Sequence, residues 1–158
     1  MRDTEYTARL ATLDDAPVIV DFNLAMARET ESLELSPATL ASGVGSLFDN
    51  PQFGFYVMAE ARGAGGAFER AGSLLITYEW SDWRDGLFWW VQSVYVRAEH
   101  RRRGVYTVLY EFVKRLAAAD PRVRGFRLYV ERENAAAQKT YERLGMDASH
   151  YVMYEEII

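Results

Sequence analysis

The spacing of hydrophobic and polar positions changes period along this chain, and each change marks an element. "EYTARLAT" (Glu5 to Thr12) alternates and predicts a first strand. In "DDAPVIVDFNLAMARETE" the apolar residues Val18, Phe22, Ala25 and Met26 recur at helical spacing, behind acidic residues and a proline that open helices well. "SPATLASGVGSLFDN" repeats that signal: Ser36 can cap, Pro37 takes the first helical position, and Asn50-Pro51 breaks the chain. "FGFYVMAEA" and "AGSLLITYEW" are β-rich runs joined by "RGAGGAFER", a hairpin-type turn or loop. "GLFWWVQSVYV" is a longer β-prone run. Val105 to Ala119 predicts a helix with a stripe of Val105, Leu109, Phe112 and Leu116, and a Glu111–Arg115 pair beside it. Asp120-Pro121 stops it, and "GFRLYVE" reads as a strand. Asn134 to Leu144 predicts a helix capped by Asn134 and stopped at Gly145, and "SHYVMYEEII" reads as a closing strand.

The predicted order is β-α-α-β-β-β-α-β-α-β. A strand–helix–strand unit from Leu87 to Val130 is normally a parallel, right-handed crossover, whereas the hairpins before it are antiparallel. The expected class is α/β (α+β): a mixed, mostly antiparallel sheet with helices on both faces, in one domain spanning 1–158 with no linker.

Composition narrows the chemistry. Hydrophobic residues make up 49% and charged residues 26% of the 158, the balance of a soluble globular chain. No apolar run nears the roughly 20 residues of a membrane span, and the N-terminal stretch is polar, so no membrane partner and a cytoplasmic location are expected. With no cysteine there is no disulfide, thiolate metal site or cysteine nucleophile. With only His100 and His150, no metal centre is expected. A net charge of -5 argues against nucleic-acid binding.

Against that acidic background, "VYVRAEHRRRGVYTVLYEF" places Arg101, Arg102 and Arg103 where a strand gives way to a helix. A helix start leaves its first N–H groups unpartnered and carries roughly half a positive charge. Cations there oppose the dipole by about 0.3–1 kcal/mol each when exposed. The stretch is either a solvated helix end or a receptor for an anion such as phosphate, with Gly104 allowing close backbone approach.

"VYVRAEHRRRGVYTVLYEFV" resembles the acetyl-CoA-binding signature of the GCN5-related N-acetyltransferase (GNAT) superfamily: a strand ending in Val, a short turn, then Arg/Gln-x-x-Gly-x-Gly/Ala opening a helix. Tyr106 departs from the last position of that pattern. "LYVERENAAAQKTYERLGM" looks like the strand and helix that follow in the superfamily, and "ARLATLDDAPVI" like its beginning. The resemblance covers nearly the whole chain. It implies a central pair of parallel strands that splay apart, with the pantetheine arm of acetyl-CoA in the gap. Val94, Tyr95 and Val96 would line that arm, through the main chain of Val94 and Val96. The amides of Arg102 to Thr107, including Gly104, Val105 and Tyr106, would hold the pyrophosphate, with Arg101 adding charge. Asn134, Ala137 and Tyr141 would flank the cofactor from the second motif.

The resemblance also implies a reaction: direct acetyl transfer from the thioester to a primary amine of a small molecule or peptide. Tyr141 stands at the position of the general acid in many members, and its ordinary pKa near 10 is comparable to that of an alkyl thiol. By itself it reads first as a core aromatic sharing a face with Ala137 and Leu144. Gln92 is no base, but strand alternation places it with Val94 and Val96 and lets it orient a water or substrate. Glu79 and Glu131 are further candidates for the base. On the acceptor side, Glu29, Glu31 and Glu34 form an acidic helix end that would attract a cationic amine, or simply face solvent. Trp80 and its neighbours Trp83, Trp89 and Trp90 could line the acceptor pocket, the core or a homodimer interface. The alternative function is a GNAT-like domain that binds an acyl-CoA without catalysis, as a sensor or scaffold.

Overall fold

The computed structural model describes residues 4–63 and 65–158, so residues 1–3 and Ala64 of the "RGAGGAFER" turn lie outside the described residues. The chain falls into two compact units, Met1–Leu128 and Tyr129–Ile158.

The first unit is a five-stranded sheet in chain order: β1 (Glu5–Leu10), β2 (Gly54–Arg62), β3 (Phe68–Ser81), β4 (Gly86–Val96) and β5 (Val123–Arg127). Neighbours are antiparallel except β4 and β5, which are parallel and joined through α3 (Val105–Ala118). This is the mixed sheet the pattern predicts. The parallel pair, expected at the centre, lies at the edge, because among the described residues no strand follows β5 in the sheet.

Two helices cover one face. α1 (Ala16–Glu31) carries Pro17 in its first turn, and α2 (Pro37–Asp49) is capped by Ser36, whose Oγ accepts from the Thr39 N–H at 3.2 Å. Ile19 and Phe22 of α1 and Val44 of α2 close over Tyr56 and Met58 of β2, with Leu75 and Tyr95 at the margin. Alternation turns Val57 and Ala59 to the other face, which is covered by α3 through Val105, Leu109 and Val113, all buried. The predicted Glu111–Arg115 pair is replaced. Glu111 bonds Lys114 at 2.6 Å, and the Arg115 guanidinium lies over the Phe112 ring.

The entry to α1 is fixed by a buried carboxylate. Asp15 is fully buried and accepts from the Thr12 N–H at 2.9 Å, from Arg9 at 2.7 and 3.1 Å, and from Arg70 at 3.2 Å. Burial alone would raise its pKa, but these donors outweigh it and hold the carboxyl well below its ordinary 3.8.

The second unit contains α4 (Ala135–Arg143). Asn134 caps it by accepting from the Ala137 N–H at 3.1 Å. The helix closes on Gly145 at φ +93°, with Met146 N–H to Tyr141 O and Gly145 N–H to Glu142 O, the paired bonds of a glycine-closed helix end. The closing strand predicted for "SHYVMYEEII" is not formed: 149–158 carry no strand assignment and are exposed. β-propensity describes side chains that fit a pleated surface, and it does not supply the neighbour that pairing requires.

Candidate functional site

The site in the first unit begins with a defect in β4. Ser93 takes φ +48°, and the register with β3 slips there: Leu75 stands opposite Gln92, but Ser73 stands opposite Tyr95. One extra residue in β4 is a β-bulge, which bends a strand and restarts its alternation. Gln92 therefore shares a face with Tyr95, not with Val94 and Val96 as unbroken alternation predicts. β4 also outruns its parallel partner. The β4–β5 register ends at Trp90 opposite Arg127, where β5 itself ends, and β4 continues to Val96, past its parallel partner, over the residues expected to meet the cofactor arm. The Val96 carbonyl accepts from Arg101 Nε at 2.9 Å.

The turn after β4 is built to present amides. A 3-10 turn at Ala98–His100 leads to Arg102 at φ +59° and Gly104 at φ +81°. Nothing lies within 4 Å of a Cβ placed on Gly104, so the left-handed φ, rather than crowding, calls for glycine. Arg102 takes the same region at a cost, and such strain collects at functional sites. The first intrahelical bond of α3 is Val108 N–H to Gly104 O at 3.0 Å, so the amides of the preceding residues stand ahead of the ladder. Tyr106, the departure from the family pattern, lies half-buried with its ring stacked on Tyr110 at 5.9 Å and 7°. Val105 is buried and Thr107 exposed.

The three arginines are not equivalent. Arg101 Nη2 bonds Glu29 Oε2, and its guanidinium lies 5.5 Å from the Tyr95 ring centre. Glu29 also accepts from Tyr95 Oη at 3.0 Å. The Arg101 hydrogen bond lowers the Glu29 pKa, and its Glu29 partner raises that of Arg101. Tyr95 is raised by burial and then by Glu29. Arg102 and Arg103 are exposed and make no ion pair among the described residues. A diffuse anion would meet the amides and these two charges, with Arg101 already balanced.

Beside the turn, the sheet face under α1 carries a row of polar groups. Gln92 Nε2 donates to Thr77 Oγ1, and Glu79 accepts from Trp90 Nε1 at 2.7 Å and from Arg127 Nη1 at 2.8 Å. Glu79, a candidate base, is thus committed to two donors. Trp80 is 59% exposed and, by alternation from Glu79, points to the opposite face; Trp90, opposite Thr77, shares the face of Gln92. Glu29, expected to face the acceptor, is held at the turn by Arg101, and Glu31 is exposed at the end of α1. Thr77 and Arg127 had no local sequence signal. They emerge only from strand pairing and a contact 48 residues apart.

In the second unit, Asn134, Ala137 and Tyr141 follow one another at the start, first turn and second turn of α4. Ala137 and Tyr141 are half-buried, and the Asn134 side chain is occupied by its capping bond. Burial raises the Tyr141 hydroxyl pKa, which keeps its proton in place at neutral pH. Glu131 is exposed.

Comparison with known proteins agrees with this arrangement. The family model for acetyltransferase (GNAT) matches residues 26–146. A possible acetyltransferase from Clostridium difficile 630 is 39% identical over 97% of each chain, with a TM-score of 0.84. An aminoglycoside N-acetyltransferase AAC(6')-Iy in complex with CoA shares the fold at 14% identity and a TM-score of 0.74, over 99% of this chain and 97% of that one. Glucosamine-6-phosphate N-acetyltransferase from Arabidopsis thaliana does so at 14% identity and 0.70, over 98% and 99%. No curated protein matches the sequence. A strand that outruns its parallel partner, an amide-presenting turn behind it and a family match across both motifs lead to one conclusion: the chain belongs to the acetyltransferase (GNAT) family.

Proposed function

We propose that this protein transfers the acetyl group of acetyl-CoA directly to a primary amine of a small molecule or peptide. The observation that carries this reading is the turn from Arg102 to Gly104, whose left-handed residues set unladdered amides ahead of α3 at the end of a strand that outruns its partner. Those features fit a pyrophosphate and an extended amide-bearing arm: Arg102 to Thr107 would hold the first and the free edge of β4 around Val94 to Val96 the second. Asn134 and Ala137 are the candidates that the second unit offers for the cofactor. The thioester supplies the activated acetyl group.

Tyr141 acts as the general acid. The amine nitrogen attacks the thioester carbonyl carbon, the C–S bond breaks, and the hydroxyl proton passes to sulfur. The ammonium proton of the new amide leaves through water, which restores the phenol. The raised pKa of Tyr141 favours the protonated donor before transfer. Gln92, half-buried and anchored on Thr77, orients the water or the amine. With no cysteine in the chain, no acetyl-thiol intermediate forms on it. Titrating acetyl-CoA by calorimetry and following thiol release with a panel of primary amines tests the reading. Binding without release for any amine would move the assignment to a non-catalytic acyl-CoA sensor, and no binding would overturn both. A Tyr141→Phe enzyme is expected to lose about 10²-fold or more in kcat with little change in acetyl-CoA affinity, measured by steady-state thiol release. Full activity would remove Tyr141 from the mechanism.

A further inference from the structure

Ahead of the arginine turn, three separate parts of the first unit meet around one imidazole. His100 ends the Ala98–His100 turn and is 7% exposed. Its Nδ1 lies 3.1 Å from the Oη of Tyr6 in β1, and the two rings meet edge to face at 5.7 Å. Its Nε2 is buried and has no hydrogen-bond partner among the described residues. That nitrogen is turned toward Glu69 of β3, whose Oε2 is 3.6 Å away. Glu99 brings a second carboxylate, and one ligand atom from each of the three lies within 4.8 Å of the others.

An unmet buried polar atom costs about 1–3 kcal/mol, so its orientation asks for a cause. A separation of 3.6 Å is too long for a hydrogen bond. It is close to the spacing of two ligands on one tetrahedral ion, since bonds of roughly 2.0–2.1 Å set ligand atoms about 3.3 Å apart. We infer that His100 Nε2 with the carboxylates of Glu69 and Glu99 forms a site for a divalent transition-metal cation such as Zn²⁺.

The surroundings suit that role. With Nε2 on the ion, Nδ1 carries the proton and donates it to Tyr6 Oη, which fixes the ring as outer partners of ligating histidines do. One imidazole and two carboxylates favour Zn²⁺, Co²⁺ or Ni²⁺ over Mg²⁺ or Ca²⁺. Arg97 is the competitor: it bonds Oε1 of Glu69 and lies 3.7 Å from Glu99 Oε1. The oxygen of Glu69 turned to His100 is the other one, Oε2, so the ion and Arg97 can share this carboxylate. None of its three ligands lies in the Arg102–Thr107 stretch assigned to the pyrophosphate, although His100 directly precedes Arg101.

The chain offers a clean assay, because His150 is its only other histidine and it has no cysteine. Calorimetry of the full chain with Zn²⁺ alone is expected to show one ion bound. Glu69→Gln and Glu99→Gln, both changes at exposed carboxylates, should each weaken binding about tenfold or more. His100→Gln should abolish it, and Arg97→Gln should strengthen it severalfold by removing the competing charge. His150→Gln should leave it unchanged. Nitrogen-15 spectra of the wild-type histidines should show Zn²⁺ shifting the Nε2 resonance of His100. No binding at millimolar Zn²⁺, binding lost with His150→Gln, or binding that survives Glu69→Gln with the His100 resonance unmoved would overturn the site.

Discussion

Two of the first unit's groupings of arginine and carboxylate are built to opposite ends. At the start of α1, Arg9 and Arg70 converge on Asp15, which has no exposed surface, and Arg9 also bonds Glu60 at 2.8 Å. At the end of β4, Arg101 bonds Glu29 with both side chains more than 40% exposed, and Arg97 bonds Glu69 in a similar setting. A buried charge is tolerable only when its lone pairs are filled, so Asp15 cannot exchange partners without a large penalty. Exposed pairs contribute little to stability and are screened by salt. Their charges can turn to an incoming anion at small cost. One cluster holds the fold, and the other sets the charge of the turn.

The strongest break in this comparison is Asp15→Asn. The asparagine keeps an acceptor for the Thr12 N–H but removes the charge that Arg70 and Arg9 share, leaving Arg9 with Glu60 alone. A loss of about 3 kcal/mol in unfolding free energy is expected by urea denaturation. The pH dependence follows from the sign of the shift. The native carboxyl titrates below its ordinary 3.8 and the unfolded one near it. The Asp15 contribution is therefore fully present above about pH 4 and is lost as pH falls through the native value. The variant should show a flatter acid limb in stability against pH. An unchanged acid limb would mean that other carboxylates govern acid unfolding.

How much of this was legible in the sequence depends on the range of the contact. Local signals are legible where a residue acts on its own backbone: Ser36 and Asn134 cap, Pro17 opens α1, and Gly145 closes α4. The bulge at Ser93 is not legible, because serine is no signature for a left-handed residue in the middle of a β-prone run, and the facing of Gln92 depends on it. Which of the four tryptophans shares a face with Gln92 is equally a matter of pairing: the register puts Trp90 there and Trp80 on the other face. The binding of Glu29 to Arg101 spans 72 residues, and no periodicity encodes it. The closing strand failed for the same reason: its composition was β-like, but a partner strand is a tertiary fact.

A smaller, local effect is expected at the turn. Gly104→Val must hold a β-branched residue at φ +81°, which costs on the order of 1–2 kcal/mol, or moves the turn instead. Either outcome displaces the amides, so acetyl-CoA affinity should fall about tenfold or more by calorimetry. The packed cluster at Asp15 lies elsewhere, and the urea midpoint should shift far less than in Asp15→Asn. Equal losses in the two variants would erase the distinction between a cluster that holds the fold and a turn that holds a ligand.

The smallest effect, and the one that sharpens the comparison most, is Glu29→Gln. If the β4 cluster sets the charge of the turn, removing the carboxylate frees Arg101 and makes the turn more positive. The KM for acetyl-CoA should then fall about two- to threefold at low ionic strength. Screening shortens the reach of charge to roughly 3 Å at 1 M salt, so the gain should vanish there. Thermal stability should hardly move, since both partners are exposed. Should the substitution instead raise the KM for the amine and leave acetyl-CoA untouched, Glu29 would serve the acceptor, and its bond to Arg101 would be a resting contact that the amine displaces.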